Sequence, residues 1–535
     1  MQNNLQRLIV VSNRLPVVAV PDIGPDAAVS ATGSRWTLRA GSGGLVSALV
    51  PVLKQRGGTW IGWPGADGPE STEIDRLLAQ VSDESGYRLR AVHLSQAEIR
   101  DFYQGFSNEI VWPLFHDLQS VCNFDPAYWR TYQSVNRKYA AAVAAQAQKD
   151  DFVWVHDYHL MNVGAELRTL GNRARLGFFL HVPFPSLDLF SKLPWCSQLI
   201  EALLRYDLIG LQTTRDRRNF VQCVRALVPD AVVEGKGRAM IATYNGRRIR
   251  IGTFPISIDF DSWIEPAHAQ RVQDSTADLR RRMPECKLVL GIDRLDYTKG
   301  IPLRLQAFHD LLKRRPEFCE RISLIQVVVP SRVDIPEYDA LKATIEQLVG
   351  RINGEFMKPG GWVPVWYIYG HLSPDELVAY YRSADVALVT PLRDGMNLVA
   401  KEYCASNLTE DGVLVLSEFA GAAAELGEGA LLVNPYDIEG VADALAAACT
   451  MPIAERRARM APMRNSIRRH DVHWWTDTFL DAATAAEAAA THKRPLPIDL
   501  AARSLHPAND DMRPLPSLVN ADSAANTAPR AAHVN

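Results

Sequence analysis

The chain has 535 residues, of which 47% are hydrophobic, and a formal net charge of −3. That length exceeds one continuous core and predicts two domains of ordinary size plus a tail. The near-neutral balance excludes a surface field that would gather nucleic acid or an anionic membrane, so any bound anion must meet a local cluster of cations.

The seven cysteines are scattered, odd in number and never at C-x-x-C spacing, which predicts reduced thiols of a cytosol rather than a disulfide framework or zinc site. The apolar run near the N-terminus is too short for a signal segment. No uncharged stretch approaches a membrane span. A soluble, cytoplasmic protein is the expectation.

In chain order, LIVVS (8–12), TWIGW (59–63), FVWVH (152–156), LGFFLH (176–181) and DLIGL (207–211) read as buried strands, separated by helical patterns such as 128–147. A second series follows: KLVLGID (287–293), LIQVVVP (324–330), VPVWYIY (363–369), VALVT (386–390) and VLVLS (413–417), with helices such as 300–314 and 397–406 between them. TFPISIDFDSW (253–263) is the expected crossover. The prediction is an α/β protein of two doubly wound domains facing across a cleft, 1–254 and 255–471. Residues 492–535, rich in Ala, Pro, Asn, Ser and Asp, are expected to be a disordered tail. In open α/β sheets ligands sit at the carboxyl ends of strands, so the polar residues there are the candidates.

The first strand ends in SNRLP and leaves Arg14 at a βα turn, where a surface role and a ligand role are both open. AGSGGLVSAL (40–49) sets Gly41, Gly43 and Gly44 before a helix, which suits either an ordinary turn or a phosphate loop. The third glycine of a dinucleotide fingerprint is absent, so a dehydrogenase is not expected. FYQGFSNEIVWPLFH (102–116) offers Tyr103 and Trp112 in a polar, turn-rich context, as core or as a sugar-phosphate pocket. VHDYHL ends a strand in His156, Asp157 and His159. Its H-x-x-H spacing has no third ligand placed to complete a metal site, and Asp157 is better read as an acceptor for hydroxyls. HVPFP ends another strand in His181. The loop DRLDYTKG brings Arg294 and Lys299 together before a helix, a diphosphate site that needs no metal. Arg332 ends a further strand in PSR. In TPLRDGMNLVAKEY, Asp394 precedes a helix that carries Glu402 about two turns along, either solvated or holding a ribose diol.

Together SNRLPV, GSGGL, FYQGFSN with WPLFH, VHDYHL, HVPFP, DRLDYTKG, PSR and TPLRDGMNLVAKEY resemble the trehalose-6-phosphate synthase family, in the family's order from about Ile9 to about Trp475. The resemblance implies a retaining glycosyltransferase of the GT-B fold, with a final helix at 472–491 returning to the first domain. It implies UDP-glucose as donor, glucose 6-phosphate as acceptor, no cofactor or metal, and a homo-oligomer. By the same resemblance Arg14, Tyr103, Trp112 and Arg332 hold the acceptor phosphate, and Asp157 binds acceptor hydroxyls. Gly43 and Gly44 meet the donor phosphates, Arg294 and Lys299 clamp the diphosphate, and Glu402 holds the ribose. His181 and Asp394 contact the transferring glucose, with Met396, Asn397 and Leu398 completing the donor pocket. Leu372 stands where a more aromatic wall of the base pocket is expected.

Rival readings make distinct demands. A relative that uses glycerol 3-phosphate as acceptor would differ around Tyr103, Trp112 and Asp157. A metal-dependent transferase needs a D-x-D pair, and Asp259-Phe260-Asp261 falls in the crossover. A hydrolase needs two facing carboxylates, for which Asp157 and Asp394 are candidates, but it leaves the cationic loop without purpose. A catalytically silent sugar-phosphate sensor could lose some of these strand-end charges without penalty. No phosphatase signature of the DxDxT kind occurs, so dephosphorylation is expected of a separate protein.

Overall fold

Short β-branched runs bounded by turns become the strands of two parallel sheets. The computed structural model describes residues 7–21, 36–41, 43–66, 72–235, 239–283, 286–331, 336–358 and 361–484; the expected tail at 492–535 lies outside them. In chain order the first strands are β1 (Leu8–Arg14), β2 (Val17–Pro21), β3 (Trp36–Ala40), β4 (Thr59–Trp63), β5 (Arg88–Ala91) and β6 (Phe152–His156). Next come β7 (Arg175–Phe179), β8 (Leu208–Leu211), β9 (Val232–Glu234), β10 (Ala239–Tyr244) and β11 (Arg247–Thr253). The second half supplies β12 (Lys287–Arg294), β13 (Ile322–Val329), β14 (Val365–Tyr369), β15 (Val386–Val389), β16 (Val413–Ser417) and β17 (Leu431–Val433).

Sheet one has the order β5-β4-β1-β6-β7-β8-β11-β10-β9, sheet two β14-β13-β12-β15-β16-β17, and β2 pairs with β3 apart from both. Sheet two is parallel throughout, whereas sheet one turns antiparallel only at its β11-β10-β9 edge. In sheet one the chain runs outward from β1 to β4 and β5, then reverses to β6. In sheet two it runs from β12 to β13 and β14, then reverses to β15. Each reversal opens a crevice at the carboxyl ends of the flanking strands, which is where such sheets bind ligands. Arg14 and His156 are the last residues of β1 and β6, and Arg294 is the last of β12.

Strands missing from the sequence reading are short or carry charge. The β10–β11 pair holds Arg247, Arg248 and Arg250 among its residues and so does not read as a buried run. A larger difference falls at 102–116, where the expected turns are helical. Ile99–Val111 forms a wide helix of i→i+5 type that runs directly into a short α-helix, Trp112–Phe115. The turn-forming residues are absorbed: the Asn108 side chain donates to the Tyr103 carbonyl at 2.6 Å, and Pro113 sits in the first turn of the second helix. Such wide helices often mark functional sites because they re-aim side chains.

The crossover is anchored from both sides. Buried Lys401 donates to the Ile256 carbonyl (3.0 Å) and pairs with Glu425 at 2.6 Å, while the Val472 amide donates to Ile258 (2.9 Å). Asp259 accepts from the Ser262 amide at the start of the helix Asp261–His268, a local helix-start contact. The helix Val472–Thr484 then lies on sheet one, with Phe479 stacked on Trp154 at 4.4 Å and Trp475 edge-on to Phe179 at 5.1 Å. Among the described residues no helix is long and apolar enough to cross a membrane.

Candidate active site

A cleft of about 690 Å³ opens at the carboxyl ends of β1, β6 and β12. Its lining includes Arg14, Gly43, Gly44, Tyr103, Trp112, Asp157 and Arg294. It does not include His181, Lys299, Leu372, Asp394, Met396, Asn397, Leu398 or Glu402. Arg332 lies outside the described residues, although its neighbour Ser331 lines the cleft.

On the first wall, Ser12 fixes the end of β1 by donating to the Arg14 carbonyl (2.6 Å) and accepting from Trp60 Nε1 (2.7 Å). The Arg14 guanidinium lies 4.0 Å over the Trp63 ring and 5.4 Å from that of Tyr103. Gly65, at φ 90°, makes room, because a Cβ there would come 2.6 Å from the guanidinium. Ring faces attract a cation without accepting its hydrogen bonds, so the planar donors stay available for a phosphate. The aromatic belt continues through Tyr103 stacked on His159 (5.9 Å) and His159 on Tyr158 (3.9 Å), with Trp112 tilted against His116 (4.2 Å). His159 is thus a member of a ring stack, and no group of three or more potential metal ligands occurs among the described residues.

Asp157 follows β6 at φ 75°, ψ 167°, a conformation that is nearly confined to glycine. Its amide donates to the Phe179 carbonyl (2.8 Å) and its carboxylate accepts from the His181 amide (3.2 Å). Strain of this kind persists only where the surroundings impose it, and it marks functional sites. Burial raises the Asp157 carboxyl to about 6, against the pull of the Tyr158, His181 and Val182 amides and the charge of Arg294. His181, lowered to about 3 by burial, is neutral.

On the second wall Arg294 projects exposed from β12, with no hydrogen bond or ion pair to a described residue. Asp296 caps the turn Tyr297–Lys299 by accepting from the Thr298 amide (2.9 Å) and hydroxyl (2.8 Å). Lys299, from the same loop, pairs with Asp394 at 2.6 Å. Burial works to raise the Asp394 carboxyl, but the charge and hydrogen bond of Lys299, then His116 and Asn397, hold it below its ordinary value. Asn397, at φ 81°, donates to Asp394 (3.1 Å) and caps the helix Leu398–Ser406 by accepting from the Ala400 amide (3.2 Å). The Met396 carbonyl accepts from Ala422 at 2.7 Å, so that group is committed within the domain. Glu402 sits one turn into the helix rather than two, accepts from the Tyr381 hydroxyl (2.8 Å) and is raised to about 7 by burial. Leu372 is half-buried and packs against the core that holds Met396 and Ala400.

The walls touch at several places, among them the ion pair of Arg393 with Asp117 at 3.6 Å. Gly44, which opens the helix after Gly43, lies against Leu398. A Cβ on Gly395 would overlap the His181 carbonyl, so only glycine permits that approach.

Three residues escaped the sequence reading. Trp63 carries Arg14, and His116 Nδ1 donates to the Trp112 carbonyl (2.7 Å) beneath the indole. Arg304 is fully buried, pairing with Asp293 (2.6 Å) and donating to Thr390 (3.0 Å) and Gln326 (3.2 Å), directly beneath the Arg294–Lys299 loop. The available signal was an arginine interrupting the apolar pattern IPLRLQAF.

The model of glycosyltransferase family 20 matches residues 6–485. A trehalose-6-phosphate synthase from Mycolicibacterium vanbaalenii is 41% identical over 484 residues, covering 90% of this chain and 96% of that protein. The crystal structure of an α,α-trehalose-phosphate synthase (UDP-forming) from Burkholderia xenovorans in complex with glucose 6-phosphate superposes with a TM-score of 0.78 at 35% identity, covering 89% and 99% of the two chains. A trehalose-6-phosphate structure from E. coli bound with UDP-2-fluoro glucose gives a TM-score of 0.77 at 35% identity, covering 89% and 99%. The two facing parallel sheets are the GT-B arrangement, and the chain belongs to glycosyltransferase family 20.

Proposed function

We propose that the chain transfers glucose from UDP-glucose to glucose 6-phosphate with retention, giving α,α-trehalose 6-phosphate and UDP, the first step of trehalose biosynthesis. The observation that carries this reading is the division of charge across one cleft. An arginine held by rings, Arg14, stands on one wall, and an unpaired arginine at a strand end, Arg294, stands on the other. Two separate anions, an acceptor phosphate and a donor diphosphate, fit that division. The relatives whose names give the same activity and the same two ligand classes support it further.

In this reading Arg14, Tyr103 and Trp112 hold the acceptor phosphate, with Arg332 joining them, and Asp157 accepts from the acceptor hydroxyls. Burial raises the Asp157 carboxyl to about 6, and the Tyr158, His181 and Val182 amides, then the charge of Arg294, work against that rise, so the group is largely ionised at neutral pH. Gly43 and Gly44 meet the donor phosphates, Arg294 and Lys299 clamp the diphosphate, Leu372 lines the base pocket, and Glu402 takes the ribose. His181 and Asp394 contact the transferring sugar, with backbone at Met396, Asn397 and Leu398. Breaking the glucose C1–O bond leaves charge on UDP, and fixed cations in a water-poor site stabilise that charge best. The acceptor hydroxyl attacks on the face the diphosphate leaves, and its proton passes to the departing phosphate oxygen. No carboxylate is then needed as a covalent nucleophile. The protein works in the cytoplasm as a homo-oligomer without metal or cofactor, and a separate phosphatase consumes its product.

The test is a metal-free assay with UDP-, GDP- or ADP-glucose, each with glucose 6-phosphate or glycerol 3-phosphate, following nucleotide release and disaccharide phosphate. The expected result is UDP release that depends on glucose 6-phosphate. Release that ignores glucose 6-phosphate but responds to glycerol 3-phosphate overturns the acceptor assignment.

A further inference from the structure

Parallel pairing sets His156, the last residue of β6, beside Phe179 of β7, and His181 follows two residues on. The two imidazoles meet with centroids 5.3 Å apart, and His156 Nδ1 lies 3.1 Å from His181 Nε2. Both rings are held neutral by burial, His156 well below its ordinary value and His181 at about 3. Each therefore carries one N–H, and one of those two hydrogens fills the contact between them.

The remaining atom of His156 decides which. His156 is fully buried, and its Nε2 has no hydrogen-bond partner among the described residues. Trp154 packs on the ring at 4.6 Å, and Trp475 of the helix Val472–Thr484 stands 6.4 Å away. A hydrogen on that Nε2 would be a donor stranded among indoles, which native structures avoid more strictly than an idle acceptor. His156 therefore carries its hydrogen on Nδ1 and donates to His181 Nε2. His181 must accept there, which leaves its own hydrogen on Nδ1.

We propose that His156 is a positioning residue that locks His181 as the Nδ1–H tautomer, so that His181 meets the transferring glucose as a hydrogen-bond donor and is withdrawn from service as a base. This rests on reading His181 as a contact of the donor sugar. The returning helix takes part, because Trp475 closes the back of the pair, 6.3 Å from His181 and edge-on to Phe179. A segment near residue 475 thereby helps set the protonation pattern of a strand end near residue 181.

The first measurement is independent of activity. Nitrogen NMR of the full chain labelled at histidine, assigned with His156 and His181 variants, should show His181 protonated at Nδ1 with Nε2 a bare acceptor. The opposite tautomer overturns the proposal. The second compares His156→Asn, whose amide nitrogen falls near the Nδ1 position, with His156→Gln, whose amide nitrogen falls near Nε2. The Asn variant should keep kcat within about threefold, and the Gln variant should lose roughly tenfold or more in kcat at unchanged KM for glucose 6-phosphate, as a wrong tautomer costs turnover elsewhere. Equal kcat in the two folded variants overturns the proposal; where the Gln variant does not fold, the NMR result on the parent chain decides. A His181→Ala variant with unaltered kcat and KM for UDP-glucose would instead remove the sugar-contact reading and leave the tautomer assignment standing.

Discussion

The two walls of the cleft hold their cations in opposite ways. On sheet one Arg14 rests on the faces of Trp63 and Tyr103, which fix the guanidinium without neutralising it. On sheet two Lys299 is pressed against Asp394 and Arg304 against Asp293, so both are placed by carboxylates that consume their charge. A cation held by rings arrives at a ligand with its donors free, whereas a cation held by a carboxylate mainly holds structure. Sheet two therefore divides the work: the buried Arg304–Asp293 pair fixes the loop, and exposed Arg294 supplies the field. The same cationic side chains, differently partnered, become scaffold in one place and ligand in another.

The sharpest way to break this contrast is to remove a scaffold cation. Arg304→Ala strands the Asp293 carboxylate, which is 3% exposed, and should cost about 3–5 kcal/mol of stability in urea unfolding. A cost under about 1 kcal/mol would show that the pair is not holding the loop. Arg294→Ala removes a charge that no ion pair among the described residues neutralises, so unfolding should be unchanged while kcat falls on the order of a hundred- to a thousandfold. Near-normal turnover would sink its assignment to the leaving diphosphate. Trp63→Leu leaves Arg14 charged but unsupported. About 1–2 kcal/mol of cation–π attraction goes, raising the KM for glucose 6-phosphate roughly five- to thirtyfold with the donor KM unaffected. A shift in both constants would mean that Trp63 shapes the whole cleft rather than Arg14 alone.

The same contrast explains what the sequence disclosed. Buried parallel strands read directly, because LIVVS, FVWVH and VLVLS are apolar through and end in a polar residue. Arg14, Asp157 and Arg294 were legible as strand-end residues, and the topology puts them around one cleft. Partners were not legible. Lys299 reads as a second diphosphate cation beside Arg294, yet its partner Asp394 is 95 residues away and becomes a neighbour only when β12 and β15 pair. Trp63 reads as one more aromatic in a buried strand until Gly65 and Arg14 fold onto it. The wide helix at Ile99–Val111 was hidden because Gly, Ser, Asn and Pro signal turns locally, and only the Asn108–Tyr103 bond and the packing of its buried face overrule them.

Glu402 tests the contrast at its finest grain, since it is a carboxylate that no cation holds. Its one hydrogen-bond partner among the described residues is the Tyr381 hydroxyl, and burial carries its pKa from 4.5 to about 7. The folded chain thus keeps a proton that the unfolded chain sheds near 4.5. Between those values the native state binds more protons, so this group's contribution to stability is present at low pH and is lost as pH rises through about 7. Ligand binding should run the other way. A diol needs the ionised acceptor, and the ionised fraction rises from about a tenth at pH 6 to about nine tenths at pH 8. The KM for UDP-glucose should therefore fall by somewhat less than tenfold across that range, while Glu402→Gln gives a flat profile and removes the decline in stability. Asp157, raised only to about 6, titrates earlier and on the acceptor side, so its signature is confined to the KM for glucose 6-phosphate. A donor KM in the parent chain that stays level from about pH 6 to 8 would mean that UDP-glucose does not use the Glu402 carboxylate.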